Sequence, residues 1–349
     1  MKKCIVDFIG KKTNTILVGV ALVVTILAKE NHFGWLVSIL VTHSIMSNNY
    51  RQTLGLFRIP GGNTSLAVIW MFFGVIFVTT MLISWIIFDG EIHYGLLNNI
   101  EYVNISSSFY FILVPILLKV LTKFNIPISA TLLIIPLFST SSTVRLIIKK
   151  TLVSYSLPFV VSFLTWSIIC KCFKHLVKIN GIDEQINKVW YAGMYVSTGV
   201  LWSVWNIINM CNFVIFVSRK FDLYNLFLFG AAGVLLLYTV LKDNEGKIQI
   251  KSENVSVANN VKSAVIFNIL FTAALSYLQF FSKVPLITIL VFLGLLDGKE
   301  LSTICFRRTL FLKSSLKISL IKIAKGLSSV TMGIIISLAF VEIIGLFPV

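Results

Sequence analysis

Hydroxyl side chains follow two prolines, each at the start of a short apolar run. In NIPISATLLI, Ser129 and Thr131 come just after Pro127, and in KVPLITILV, Thr288 comes just after Pro285. Proline suits the first turn of a helix, where its missing N–H group is not needed. The other N–H groups of that turn carry the positive end of the helix dipole and bind anions. We therefore expect Ser129, Thr131 and Thr288 to hold a small anion.

Asparagines form the second group of polar residues within apolar sequence. Asn49 lies in SNNYRQT, and Asn206, Asn209 and Asn212 recur every three residues in WNIINMCN, which places these three on one stripe of a helix. We interpret both stretches as breaks in helices. Amides in lipid require hydrogen-bond partners, so interhelical bonding and a polar substrate pathway are both open interpretations. If these residues form a substrate pathway, Asn49, Asn209 and Asn212 line the wall opposite the hydroxyl side chains.

Ionisable residues inside apolar runs are candidates for coupling transport to an ion. His43 precedes SNNY, and its imidazole is suited to carry a proton, although a buried, hydrogen-bonded histidine is the commoner case. Glu342 lies in the last apolar run, where a carboxylate is costly, although its closeness to the end of the chain also allows an interfacial position. We interpret Asp297, Lys299 and Glu300 as a solvated helix end.

Enzymatic chemistry finds little support in the sequence. Motifs such as HExxH, GxSxG and the P-loop are missing, and the five cysteines show no paired spacing for a metal site. His93 with Asp89 and Glu91 is the one group that resembles the loop residues of a membrane-embedded transferase. We therefore expect no enzyme, no cofactor and no metal centre.

These residues must be positioned by membrane helices. The chain has 349 residues, of which 57% are hydrophobic and 13% charged, too few polar residues to cover a soluble domain. An excess of 30 Lys and Arg over 14 Asp and Glu lies mainly in short loops, which indicates membrane topology rather than nucleic-acid binding. About nine runs are long enough to span: 13–28, 34–49, 66–88, 108–123, 151–170, 190–217, 224–241, 262–281 and 325–347.

Two further apolar runs, 127–140 and 285–296, are too short to cross a bilayer. We predict an all-α polytopic membrane protein in which each half contains one re-entrant helical hairpin. The first half covers 1–175 with its hairpin near 124–142, and the second covers 176–349 with its hairpin near 282–298. Paired, shortened segments in corresponding places are typical of transporters built from repeats.

The order of these elements resembles the inorganic phosphate transporter family of the PiT type. The similarity lies in FNIPISATLLIIPLF after FYFILVPILLKVLTK, and in KVPLITILVFLGLLDGKEL of the second half. Laying SNNYRQTLGL and INMCN on the family's two signature motifs puts Asn49 and Asn212 at asparagines. The same alignment puts Tyr50 and Asn209 at the two aspartates that help to bind the coupling cation in the family.

The resemblance implies a membrane transporter that moves a phosphate-like inorganic anion by alternating access. The expected partners are this anion, with or without a coupling cation, the lipid bilayer, and a second copy of the chain in a homodimer; nucleic acid is not expected. We expect an integral, multi-pass protein of the cell inner membrane. A scaffold or partner-binding subunit that has lost transport is the alternative, followed by a membrane-embedded transferase.

Overall fold

The computed structural model describes residues 12–54, 65–98, 109–123, 129–138, 141–172, 188–243, 261–280, 286–306 and 312–345. Over these residues the protein is helical, with one isolated β-bridge between Glu91 and Lys220. The helices are α1 Lys12–Leu27, α2 His32–Thr53, α3 Leu66–Ile87, α4 Leu113–Lys123, α5 Ala130–Ile134, α6 Ser141–Cys172, α7 Lys188–Val214, α8 Leu223–Asp243, α9 Val261–Phe280, α10 Thr288–Phe306 and α11 Leu312–Gly345. A short 3-10 turn at Phe109–Ile112 precedes α4, and another at Ile135–Phe138 follows α5.

The all-α prediction is confirmed for the described residues, and every predicted span coincides with a helix. Among the described residues, four helical segments are long and apolar enough to cross a membrane: Leu66–Ile87, Arg145–Cys172, Leu223–Asp243 and Val261–Phe280. Shorter apolar segments lie in α1 and α11, at Thr15–Leu27 and Thr331–Phe340. The protein therefore has the helices of an integral membrane protein, whereas the total of about nine spans stays a prediction.

Large apolar side chains are exposed on the outer helices, in contrast to a soluble protein. The inner helix α2 buries Ser38, Thr42 and His43, while outer helices expose large apolar side chains such as Leu152 and Phe227. Phe227 is 78% exposed, which would be costly in water but is favourable in contact with lipid. This arrangement supports a lipid-facing surface around an apolar core that also contains polar side chains.

Several helix contacts of α2–α6 have a counterpart among those of α7–α11. α2 contacts α8 and α4, while α7 contacts α3 and α9. α5 contacts α7, α4 and α11, while α10 contacts α2, α9 and α6. Laying α2–α6 on α7–α11 in chain order therefore gives each of these contacts a counterpart, and α1 packs outside this scheme on α2 and α8.

The two asparagine-rich stretches are helical, so our interpretation of them as breaks is wrong. α2 continues through SNNYRQT to Thr53, and α7 continues through WNIINMCN to Val214. The amide nitrogens of Asn49 and Asn209 donate to carbonyls one turn earlier, Ile45 O at 3.2 Å and Trp205 O at 2.9 Å. This local bonding satisfies the amides without interrupting the backbone ladder.

The second short run is also longer than predicted. α10 begins at Thr288 and continues through the charged sequence DGKE to Phe306, so its 19 residues extend about 28 Å. The first run forms only the five-residue α5 and a 3-10 turn before α6 begins. Both helices start after the prolines, but Pro127 and Pro285 themselves, with the rest of 124–128 and 281–285, lie outside the described residues.

The charged residues of α10 are not a solvated helix end, contrary to our interpretation. Lys299 is only 6% exposed; its ammonium donates to Ser263 Oγ at 2.7 Å and lies 4.3 Å from the centroid of the Trp166 ring. Asp297 accepts a hydrogen bond from Tyr155 OH at 2.9 Å. Interactions with side chains of α6 and α9 thus stabilise these charged residues within the packed helices.

Three connections meet at one end of the molecule and form what we call the end clasp, residues 29–31, 85–93 and 216–222. Asn31 Nδ2 donates to Phe216 O at 3.1 Å, and Phe221 N donates to Gly90 O at 2.9 Å. Lys220 Nζ lies 2.9 Å from Asp89 Oδ2. These bonds join the start of α2, the end of α3 and the α7–α8 connection, so they fix the inner helices at this end.

Candidate functional site

A hydrogen-bonded group links α5, α7 and the start of α10; we call it the Thr131 cluster, and it consists of Thr131, Asn209, Asn212 and the carbonyl of Leu286. Asn212 Nδ2 donates to Thr131 Oγ1 at 3.2 Å and lies 3.4 Å from Asn209 Oδ1. Thr131 Oγ1 donates to Leu286 O at 3.3 Å. The structure thus brings together three predicted site residues and the two segments that follow Pro127 and Pro285.

Thr131, Asn209 and Asn212 are all buried, with at most 3% of each residue exposed. Burial in low dielectric makes every unmet polar atom costly, and some atoms here are unmet. Asn212 Oδ1 has no hydrogen-bond partner, nor have the two polar atoms of the Asn206 side chain or Trp205 Nε1 on the same helix. Water or a polar ligand would satisfy these unpaired donors and acceptors beside the cluster.

The other two predicted hydroxyl residues lie at the starts of the same elements. Ser129 is the N-cap of α5, and its oxygen accepts from Leu132 N at 3.4 Å. Its acceptor role is therefore that of a helix cap. Thr288 is buried and opens α10, two residues after the Leu286 carbonyl of the cluster.

The remaining candidates lie outside the hydrogen bonds of the cluster. Asn49 is buried in α2, and its bond to Ile45 O stays within that helix. His43 is buried on α2, and its Nδ1 atom has no hydrogen-bond partner. Glu342 is exposed near the end of α11.

The buried polar side chains of the described residues are neutral or basic. Among the buried polar and charged side chains of the described residues, none is Asp or Glu. Lys150 acts electrostatically on Cys211, the neighbour of Asn212, and Lys119 acts on His43. No group of three or more His, Cys, Asp and Glu side chains within the described ranges could hold a metal ion. The interior therefore offers hydroxyls, amides and ammonium groups, which suit an anion better than a cation.

Sequence reasoning missed some of the polar residues that the fold gathers. Asn206 stood in the three-residue pattern but was not selected, and its unpaired side-chain atoms mark it as a site candidate. Lys150 gave no signal, because it follows Lys149 in what reads as an ordinary basic loop. Only the burial pattern of α6, with Lys149 exposed and Lys150 half-buried, separates the two.

The loop residues considered for a transferase site, Asp89, Glu91 and His93, differ in their exposure. Asp89 is exposed and paired with Lys220, whose hydrogen bond lowers the pKa of the Asp89 carboxyl. His93 is fully buried, with its Nε2 atom 3.4 Å from Glu91 Oε2. These residues belong to the end clasp, where they act in holding three connections together.

We expect the stability of the end clasp to fall in acid because of His93. Burial, together with the positive charge of Arg219, lowers the pKa of His93 from 6.5 to about 4. A depressed pKa means that the folded state binds the proton more weakly than the unfolded state, so stability present above pH 6.5 is lost as the pH falls toward 4. The loss between pH 7 and pH 5 should be about 2 kcal/mol.

Thermal unfolding in detergent at pH 7 and pH 5 measures this loss. In His93→Gln the difference between the two pH values should be smaller than in the wild type by that amount. His32→Gln is the matched control, because His32 is exposed. If His93→Gln keeps the full acid sensitivity of the wild type, another group causes it.

Comparison with known proteins gives no match to a protein-family model, to a curated protein or to a solved structure. The resemblance to PiT-type phosphate transporters therefore stays a prediction from the order of elements, and the Thr131 cluster is the feature on which a functional proposal depends.

Proposed function

We propose that this protein is a multi-pass transporter of the cell inner membrane that moves a small, phosphate-like inorganic anion by alternating access. The observation that carries the proposal is the Thr131 cluster, where two segments from separate parts of the chain meet a polar helix in the buried interior. The unpaired atoms of the buried Asn206 and Asn212 amides and of the Trp205 indole N–H cost free energy, which a polar ligand or water at this place would offset.

The matched packing of α2–α6 and α7–α11 supports the transporter class. Two halves built on one plan would give the counterpart contacts described above, with α5 and α10 in equivalent places. In transporters made of repeats, the substrate site forms where such equivalent, interrupted segments face each other. Thr131 and Leu286 provide this meeting point, since they join the start of α5 to the start of α10.

An anion is favoured over a cation by the chemistry of the interior. The described buried side chains include amides, hydroxyls, two histidines and a lysine, but no carboxylate. A hard cation such as Na⁺ or Mg²⁺ is usually bound with at least one carboxylate. Thr288 would donate to the anion, and Thr131 and Asn212 would do so by releasing their bonds to Leu286 O and Asn209 Oδ1, with Ser129 and Asn209 holding the surrounding geometry.

A scaffold that has lost transport is the second candidate. The observation that favours it is Tyr50, which is only 2% exposed and stands where the resemblance would place a cation-binding aspartate. A large aromatic side chain packed at that position would leave little room for an ion. If the protein is a scaffold, it should take up no anion. Changes in the Thr131 cluster should then leave its binding to a partner unchanged.

Uptake of labelled phosphate by proteoliposomes preloaded with unlabelled phosphate tests the proposal. Thr131→Val keeps the shape of the side chain but removes both hydrogen bonds, so uptake should fall about tenfold. Thr79→Val is the matched control, because Thr79 lies on an exposed face of α3 and bonds only to Ile76 O of its own helix. Absence of uptake by the wild type, with phosphate and with sulfate, would favour the scaffold.

A further inference from the structure

The register between α6 and α10 places a basic residue beside the Thr131 cluster. Gly294 of α10 lies against the backbone of Tyr155, and Gly298 lies against that of Phe159, four residues further along both helices. The two helices therefore run parallel. Ser167 and Ser302 continue this pairing, with their hydroxyl oxygens 3.0 Å apart.

The same register, extended toward the N-terminal end of α10, places Lys150 of α6 level with the first turn of α10. Tyr155 pairs with Gly294, so Lys150, five residues earlier, lies level with Ile289, next to Thr288. Leu286, whose carbonyl accepts from Thr131, immediately precedes this turn. Lys150 is also on the inward side of α6, between the buried residues Ile147 and Ser154.

A second observation places Lys150 near α7. Its charge acts on the thiol of Cys211, which is fully buried and directly precedes Asn212 of the cluster. Lys149, the preceding residue, is exposed on the other side of α6. Lys150 is therefore the lysine of this pair that lies near both α7 and the start of α10.

We propose that the ammonium of Lys150 balances the charge of the anion at the Thr131 cluster, so that transport needs no coupling cation. This inference depends on the proposed function and adds to it the source of the counter-charge. A small oxyanion brought into a low-dielectric interior requires a positive partner. The described buried residues provide no carboxylate for a cation to fill that role, whereas Lys150 brings the charge on the protein itself.

Two sets of measurements on the full-length protein in proteoliposomes test the inference. First, exchange of labelled for unlabelled phosphate is followed with N-methylglucamine as the only cation and equal pH on both sides. The wild type should exchange at the same rate as in Na⁺. A strict requirement for Na⁺ or for a pH gradient would overturn the inference, while the proposed transport function would stand.

Second, Lys150→Gln should lower phosphate exchange about tenfold or more, as expected for loss of a charged hydrogen-bond partner. Lys149→Gln is the matched control and should exchange like the wild type, and Lys150→Arg should retain most of the exchange because it keeps the charge. Size-exclusion chromatography checks that Lys150→Gln is folded, so that a loss of exchange reports on the site. Equal rates for Lys150→Gln and Lys149→Gln would overturn the inference. Absence of exchange by the wild type under every condition would overturn both this inference and the proposed function.

Discussion

Gly298→Ala should lower the free energy of unfolding by about 3 kcal/mol, because it inserts a methyl group into a contact between two helix backbones. A Cβ atom at this position would collide with the carbonyl oxygen of Phe159 and lie 3.0 Å from Phe163 N. Both are backbone atoms of α6, so no side-chain rotation can relieve the overlap. The helices would have to move apart.

Such a separation would also disturb bonds along the rest of the α6–α10 pair. Ser162 Oγ donates to Leu295 O at 2.6 Å, and Ser167 and Ser302 share a hydrogen bond at 3.0 Å. Small residues that let helices approach closely are typical of helix pairs in membranes, where hydrophobic burial contributes little to association. The midpoint of thermal unfolding in detergent measures the effect.

Gly19→Ala and Gly193→Ala are the controls for Gly298→Ala. A methyl group added at Gly19 would have no neighbouring atom within 4 Å, and one added at Gly193 would meet Val265 at an ordinary 3.8 Å. Alanine is favoured over glycine in a helix by about 1 kcal/mol, so both controls should be neutral or stabilising. A Gly298→Ala protein as stable as these controls would contradict the close backbone contact.

Lys299→Ala should also destabilise the protein by about 3 kcal/mol. The variant loses the hydrogen bond to Ser263 Oγ at 2.7 Å and the contact of the ammonium with the Trp166 ring at 4.3 Å. It also leaves a cavity where α6, α9 and α10 meet, because Lys299 and Trp166 are both buried. Relief from burying a charge offsets part of this loss.

Lys299→Met separates the packing of the stem from the charge of the ammonium. It keeps most of the side-chain volume, so we expect a loss of about 1 kcal/mol, well below that of Lys299→Ala. Lys262→Ala is the control, since Lys262 is half-buried and its ammonium lies 5.9 Å from the Trp190 ring. Equal losses for Lys299→Met and Lys299→Ala would show that the charge, rather than packing, stabilises this junction. Thermal unfolding in detergent again provides the measurement.

Much of the candidate site could be anticipated from residue types, but its geometry could not. The three-residue spacing of the asparagines placed Asn209 and Asn212 on one stripe of α7. Thr131 was selected because it follows Pro127, and the structure places it in a direct hydrogen bond with Asn212 rather than on an opposite wall. The same reasoning treated the asparagine stretches as breaks. It missed that amides bonding to carbonyls of the preceding turn let α2 and α7 continue as helices.

The apolar runs are enough to predict the helical class and the approximate positions of most helices, because long apolar runs in lipid can satisfy their backbone only as helices. Which polar residues are buried depends on the packing of distant segments. DGKE has the composition of a solvated helix end, yet Lys299 is enclosed by Trp166 and Ser263, far from it in the chain. Lys149 and Lys150 are likewise indistinguishable as neighbours in sequence, and the packing of α6 alone turns one outward and the other inward. Burial depends on contacts between distant segments, which local residue patterns do not contain.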